Sequence, residues 1–332
     1  MTGEPTEVSR KLNGFITRFE KATARRTFVL VGQFGPDLPE LMLSECSSTL
    51  GQVLNARQDI DLILESEGGS VDSAYKAAVV LRQFAKSLRV FVPGLARSAA
   101  TLFCLSADEV VMSPIAELGP LDAEVPDPRD PGKSMSALDG YQSVEYIRGY
   151  ALGTRALAMS DTLNNSDCPV SLNDAMDRAA DLVQKLISPM ISRIEPLDFG
   201  GWGRVLDIGR EYAERLLLRR GVAAEQARAI AYRLTYAYPH HRFVVDLLEA
   251  KESLGLNISP MAGDLYDIAD GIVRLALSEN GQTYVGFASK ERLGQAREGQ
   301  APEAGEPPAP EPKEPRLGKN KEAAPAASLP HS

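Results

Sequence analysis

Apolar and polar positions along this chain follow two different periods, and the change of period divides it. In the first part, short β-branched or alternating runs succeed one another: TFVLVG (27–32), DIDLILE (59–65), RVFVP (89–93) and EVVM (109–112). Runs of this length, bounded by turn residues, predict strands, with 59–65 buried. Between them lie stretches with helical spacing. LPELMLSECSSTLGQVLNA follows the first strand, and AYKAAVVLRQFAK places Ala74, Ala77, Ala78, Leu81 and Phe84 on one face. SAATLFCLSA reads as a short helix of small and apolar residues. Strands alternating with helices predict an α/β fold with a parallel sheet and right-handed crossovers.

The later part keeps the helical period. From 173 to 195 the apolar positions are Ala175, Ala179, Leu182, Leu186, Met190 and Ile194. Residues 205–220 predict another helix, closed by Gly221, and AAEQARAIAYRLTYA a third. Asp246 can cap LLEAKESLG, which Gly255 ends, and 262–278 is a last helix. PDPRDPGKS (126–134) predicts an exposed loop by composition. Past residue 295 the chain turns to Pro, Glu, Ala and Lys with almost no large apolar side chains, so it cannot offset its ordering entropy and is expected to be disordered. The expected organisation is a helical segment (1–26), a main domain (27–294) and a disordered tail (295–332), with no internal repeat.

Composition narrows the function classes. A chain of 332 residues can bury a substantial core, and 44% hydrophobic with 24% charged residues is ordinary for a globular protein. A net charge of −9 argues against a nucleic-acid partner. Cys46, Cys104 and Cys168 are odd in number and far apart, implying neither a metal site nor a disulfide framework, and a reducing compartment fits. No apolar run approaches the roughly 20 residues of a membrane span. MTGEPTEVSRKLNG lacks the apolar core of a signal peptide, so the expected location is the cytoplasm.

Candidate chemistry lies in two successive strand-to-helix turns. Gly68–Gly69 follows a buried strand and opens a helix, where free backbone N–H groups can bind an anion or an oxyanion. A tight turn needs glycine in any case, and no Gly-Lys-Ser/Thr follows to make a phosphate loop. One unit later Ser98 opens SAATLFCL. Serine is a favoured helix cap, and most such serines only cap. The pairing is what distinguishes this one: a hydroxyl and free N–H groups converging on one cleft are the minimum geometry for acyl transfer.

LILESEGGSVDSA followed by VPGLARSAATLFCLSADEVVMSPIAELGPLDAEV resembles the Clp/crotonase-fold serine peptidases. Within that group it is most similar to the signal-peptide-peptidase-A relatives called the serine dehydrogenase proteinase family. YPHHRFVVDLLEAKESLGLNI resembles a later segment of the same family. The resemblance covers about 27–122 and 236–258, and Glu67 stands where that family has proline. It implies a Clp/crotonase-like spiral of parallel strands and helices, with Ser98 as nucleophile and the N–H groups of Gly69 and Ala99, with Gly68 as a further candidate, as the oxyanion hole. Glu67 would put a carboxylate near a developing negative charge. No metal or cofactor is implied. A polypeptide substrate and a homo-oligomer are.

The general base stays open at this level. Clp proteases carry a histidine where this chain has LGPLD, and signal-peptide peptidases use a lysine. Lys133 sits in the Pro-rich segment. Lys185 shares a helix face with Arg178, Asp181 and Ser188, the mark of a solvated face. His241, with Asp122 or Asp246 to orient it, is the other candidate, and His240 the weaker of that pair. A hydrogen-bonded turn explains His241 equally well. Trp202 and Cys104 read as packing residues, and Tyr212 fits a supporting role at the site and amphipathic spacing equally well. The leading expectation is a serine peptidase acting through an acyl-enzyme on Ser98. A catalytically silent scaffold and a crotonase-type acyl-CoA enzyme are the alternatives.

Overall fold

The computed structural model describes residues 6–51, 57–164, 170–278 and 283–287. The chain divides into two units, Met1–Leu293 and Gly294–Ser332. The second, like Cys168 and the expected disordered tail, lies outside the described residues.

The first unit begins with α1 (Glu7–Thr23), β1 (Arg26–Val31), α2 (Leu38–Leu50), β2 (Gln58–Glu65), α3 (Val71–Phe84) and β3 (Ala85–Val92). Then come β4 (Leu95–Ala96), α4 (Ala99–Cys104), β5 (Glu109–Met112), β6 (Glu117–Leu118), β7 (Glu124–Asp127) and β8 (Asp130–Ser136). The helical part comprises α5 (Ala137–Asn164), α6 (Leu172–Ile191), α7 (Pro196–Arg219) and α8 (Ala224–Tyr232). Two π-helical turns, Arg233–Ala237 and Glu249–Ser253, precede β9 (Ile258–Pro260), α9 (Gly263–Ser278) and β10 (Tyr284–Phe287).

The main sheet runs β10-β1-β2-β3-β5-β9. Every neighbouring pair is parallel except the outer β10–β1 pair. Side chains alternate across it as a period of two requires. Phe28, Leu30, Ile60, Leu62, Leu64, Leu88 and Val90 belong to one apolar cluster, shared with α2, α3, α4 and α7. Val29, Val31, Ile63 and Phe91 belong to another, shared with α1 and α9. Each fully buried side chain of this size contributes about 1.5–3 kcal/mol. The α3 face predicted from spacing is the buried one, and Ser70 caps that helix by accepting from Ser73 N–H at 3.2 Å.

A second, smaller ladder stands at the C-terminal edge of the sheet. Ser66 bridges Ala96, β4 pairs with β6, and Leu118 bridges Val245. Four distant segments thus meet beside the two turns singled out above.

The segment 126–134, expected as a loop, is instead most of an antiparallel hairpin, β7–β8. Its prolines and glycine suggest a loop locally, but Asp122 and Ala123 anchor its base: Ala137 N–H donates to Ala123 O, and Leu138 N–H to the Asp122 carboxylate. Helix α5 escapes a periodicity reading because its apolar residues are spread around it, with glycines at 140, 149 and 153. Helix α7 starts at Pro196, well before the predicted 205, because proline suits a first turn while FGGWG hides the helical period.

Candidate active site

Ser98 sits at the entrance of α4 with φ 50° and ψ −117°. Positive φ in a residue bearing Cβ costs on the order of 1–3 kcal/mol and persists only where the surroundings over-determine it. They do so here. Arg97 N–H donates to Ser66 O (3.0 Å), and Ala100 N–H to Arg97 O (2.9 Å). Thr101 Oγ1 donates to Ala96 O (2.6 Å) and accepts from Gly119 N–H (2.9 Å), tying β4, α4 and the Leu118–Asp122 segment together. Glu65 accepts from the N–H groups of Gly94 and Leu95, both at 3.0 Å, and so holds the turn leading to the serine. The sequence reading missed Glu65 and Thr101. A carboxylate directly after the apolar run Leu62–Leu64 was the only sign of the former.

The glycine pair divides its labour. Gly68 is buried and has φ 118°, and a Cβ there would stand 3.0 Å from Ser98 Cβ. Its own N–H donates to Ser66 Oγ at 3.0 Å. Gly69 is exposed with φ 133°. Phe34 N–H donates to Gly68 O and Ser70 N–H to Phe34 O, both at 2.8 Å, a parallel bridge that leaves the Gly69 N–H on the opposite side. Among the described residues, neither Gly69 N–H nor Ala99 N–H donates to any acceptor.

Ser98 Oγ donates to the backbone carbonyl of Asp122 at 3.1 Å. The LGPLD segment is therefore in direct contact with the serine. It is clamped by Leu118 and Val245, which exchange N–H···O bonds of 2.9 and 3.0 Å, and by Leu121 N–H to Leu234 O at 2.8 Å. The Asp122 carboxylate is buried and accepts from Ser136 Oγ and from Leu138 N–H (3.1 Å). Burial pushes its pKa up, opposed by those two bonds and by the proximity of the His241 side chain.

His241 is thus brought to the Asp122 neighbourhood, with Nε2 3.9 Å from Glu124 Oε1 and the side chain 27% exposed. Its neighbour His240, not His241, makes the turn bond: His240 Nδ1 accepts from Arg242 N–H at 3.0 Å. The His241 ring makes no hydrogen bond among the described residues, stacking only loosely on His240. Asp246 is exposed and caps the following turn, accepting from Glu249 N–H at 2.8 Å. Glu124 is the carboxylate closest to the ring, and the sequence reading passed over it.

The lysines stand elsewhere. Lys185 is 73% exposed and paired with Asp181 at 2.7 Å on its own helix, and Lys133 is 76% exposed and paired with Asp130 at 2.9 Å. Glu67 meets Arg97 at 3.2 Å, and Arg97 also pairs with Glu117, so the carboxylate replacing proline has a counter-charge beside it. Cys104 is buried, its thiol pushed up by desolvation. Cys46 is pushed up to about 12 for the same reason. Tyr212 donates to Asp72 at 2.7 Å and stacks on Tyr75. Among the described residues no cluster of three or more His, Cys, Asp or Glu is placed to hold a metal, and no helix is long and apolar enough to cross a membrane.

Residues 47–139, from α2 to the start of α5, match the family model of ClpP-like SDH-type serine proteinases. The resemblance read from sequence holds, and both turns, the LGPLD segment and the hairpin fall inside the match. Two uncharacterized proteins of Methanocaldococcus jannaschii are similar over part of the chain. One is 34% identical over 98 residues, 29% of this chain and 34% of the relative. The other is 33% identical over 66 residues, 20% of this chain and 23% of the relative. The chain thus spans about a third or less of the length of these curated relatives. Among solved structures, ClpP1 from Listeria monocytogenes aligns over 74% of this chain and 98% of its own at 14% identity, with a TM-score of 0.36.

Proposed function

We propose that the chain is a serine peptidase in which Ser98 forms an acyl-enzyme with a polypeptide substrate. The observation that carries this is a strained serine flanked by two unpartnered backbone donors, Gly69 N–H and Ala99 N–H. Such donors are built for a charge that appears only in the transition state, and each is worth about 10²–10³ in rate. Gly68 drops out as a donor because Ser66 takes its N–H; it serves instead as the gap that admits Ser98.

In the proposed reaction Ser98 Oγ leaves the Asp122 carbonyl and attacks the scissile carbonyl carbon. Its proton passes to the neutral imidazole of His241. The new oxyanion accepts from Gly69 and Ala99. Collapse breaks the C–N bond, and the leaving amine takes the proton from His241. Water then hydrolyses the ester by the same steps in reverse order. Asp122 places a buried carboxyl group near the imidazolium, and Glu124 a second one at the rim. A homo-oligomer fits the apolar side chains that α5 and α6 leave exposed, among them Leu157, Leu182 and Leu186. The bond from Ser98 to a backbone carbonyl favours one rival, a silent scaffold with no base in reach.

A fluorophosphonate probe separates the two. Wild type is expected to be labelled and Ser98→Ala not. His241→Ala should slow labelling by about 10²-fold or more, the usual weight of a general base, while Lys185→Ala labels like wild type. Absence of labelling in the wild-type chain establishes the scaffold.

A further inference from the structure

A cavity of about 500 Å³ lies between α5 and the segment around the first π-helical turn. It is lined by Tyr141, Gln142, Glu145, Tyr146, Tyr232 and Tyr236. Tyr236 rests against both Tyr141 and Tyr232, with ring centroids 5.8 and 5.4 Å apart. Tyr146 and Tyr232 are 73% and 59% exposed, so the rim is aromatic as well. Large exposed aromatics around an open cavity are unusual unless something covers them.

The charges say what covers them. The lining contains a carboxylate, Glu145, and no lysine or arginine. Behind it, Tyr236 donates its hydroxyl to Asp207 at 3.0 Å, which makes that ring more electron-rich. Arg148 reaches Glu145 from outside at 2.9 Å, an exposed pair of the kind that contributes little and exchanges readily. Aromatic faces with an acidic rim attract a cation on an apolar stem.

The cavity is wired to the serine's surroundings on both walls. Tyr141 follows Leu138 by one helical turn, and Leu138 N–H binds the Asp122 carboxylate. Tyr232 and Tyr236 flank Leu234, whose carbonyl accepts from Leu121 N–H. Leu121 and Asp122 are the residues that present the carbonyl bound by Ser98. We infer that the cavity is a docking site for a lysine or arginine side chain of the polypeptide substrate. The inference takes the polypeptide from the proposed peptidase activity, while the binding itself needs no catalysis.

The single tryptophan, Trp202, packs in one cluster with Tyr141 and Tyr236 and reports on the site. The test uses the full chain carrying Ser98→Ala, titrated by Trp202 fluorescence with otherwise neutral peptides bearing Lys, Glu or Phe at one position. Saturable binding of the Lys peptide is expected, about tenfold or more tighter than either other peptide. Tyr146→Ala with Tyr232→Ala should weaken it by about tenfold, and Glu145→Lys should remove the preference for Lys. Binding indifferent to the sign of the charge, equal binding of the Phe peptide, or binding unmoved by these rim variants overturns the inference. Selective binding in a chain whose wild type resists the fluorophosphonate would remove the peptidase reading and leave the docking site standing.

Discussion

The sheet edge that carries Ser98 and the arm formed by α5 and α6 are built on opposite plans. At the edge the polar groups are short and bound: Ser66, Thr101, Ser113 and Ser136 are all buried and all hydrogen-bonded. Glycine and alanine fill the remaining space, so backbones approach closely. On the arm large apolar side chains face outward, including Leu152, Leu157 and Met190. An over-determined edge can hold one serine in a strained conformation. An arm of this kind has surface to give to a partner and little geometry to lose. The two regions should therefore answer substitution very differently.

The largest effect is expected at Gly68. An alanine there needs a backbone conformation that favours glycine, and its Cβ would press on Ser98 Cβ at 3.0 Å and Arg97 O at 3.1 Å. Both Gly68 and Ser98 sit where the chain has no slack, so the turn must move. Gly68→Ala is expected to lower fluorophosphonate reactivity by about 10²-fold or more, since a misplacement near 1 Å costs that much. It should also destabilise the fold by about 1–3 kcal/mol, read by denaturant melts. Full reactivity in Gly68→Ala would mean that the edge is not over-determined, and the contrast with the arm would fail.

A smaller effect, with a sign set by pH, is expected at Glu65. Its carboxylate is pushed up by burial, partly offset by the Gly94 and Leu95 N–H groups. A raised folded-state value means that folding favours the protonated form. The associated stability is fully present below the unfolded value, about 4.3, and is lost as pH rises through the folded one. Glu65→Gln keeps an acceptor for both N–H groups and never ionises. Its melting temperature should exceed that of wild type at pH 7, and the gap should close as pH falls below about 4. Glu65→Ala removes the acceptor and should lower stability at every pH, with slower labelling of Ser98. A gap between Gln and wild type that widens on acidification would show the carboxylate to be net stabilising.

The same contrast explains what could be read from the sequence. Strands β1, β2, β3 and β5 were legible because each buries a short run whose pattern is local. The two turns were legible because Gly68–Gly69 and Ser98 fall where strand gives way to helix. The hairpin was not, because its pairing depends on Asp122 and Ala123 rather than on its own prolines. Helix α5 was not, because a helix without an apolar stripe carries no period to detect. Within the site, the hydroxyl and its donors follow from chain-local geometry, whereas the acceptor of Ser98 is a backbone carbonyl, which no residue identity reveals. His241 could be nominated from a motif. That His240 takes the turn bond and leaves His241 unbonded is a matter of one ring's orientation.

The smallest effect on the fold is expected on the arm. Leu157 is 69% exposed and Leu186 41%, so neither has much buried area to lose. Surface substitutions of this kind change stability by no more than about 0.5 kcal/mol. Leu157→Glu with Leu186→Glu should therefore leave the thermal midpoint of the isolated subunit close to that of wild type. If the arm joins copies of the chain, the same charges end up facing an apolar partner surface, where an unpaired carboxylate is costly. The mass in solution, measured by light scattering, should then fall to that of one chain while Ser98 is still labelled. A double variant that keeps its assembly would locate the subunit contact away from these two positions. One that unfolds would show that the arm is as tightly determined as the edge.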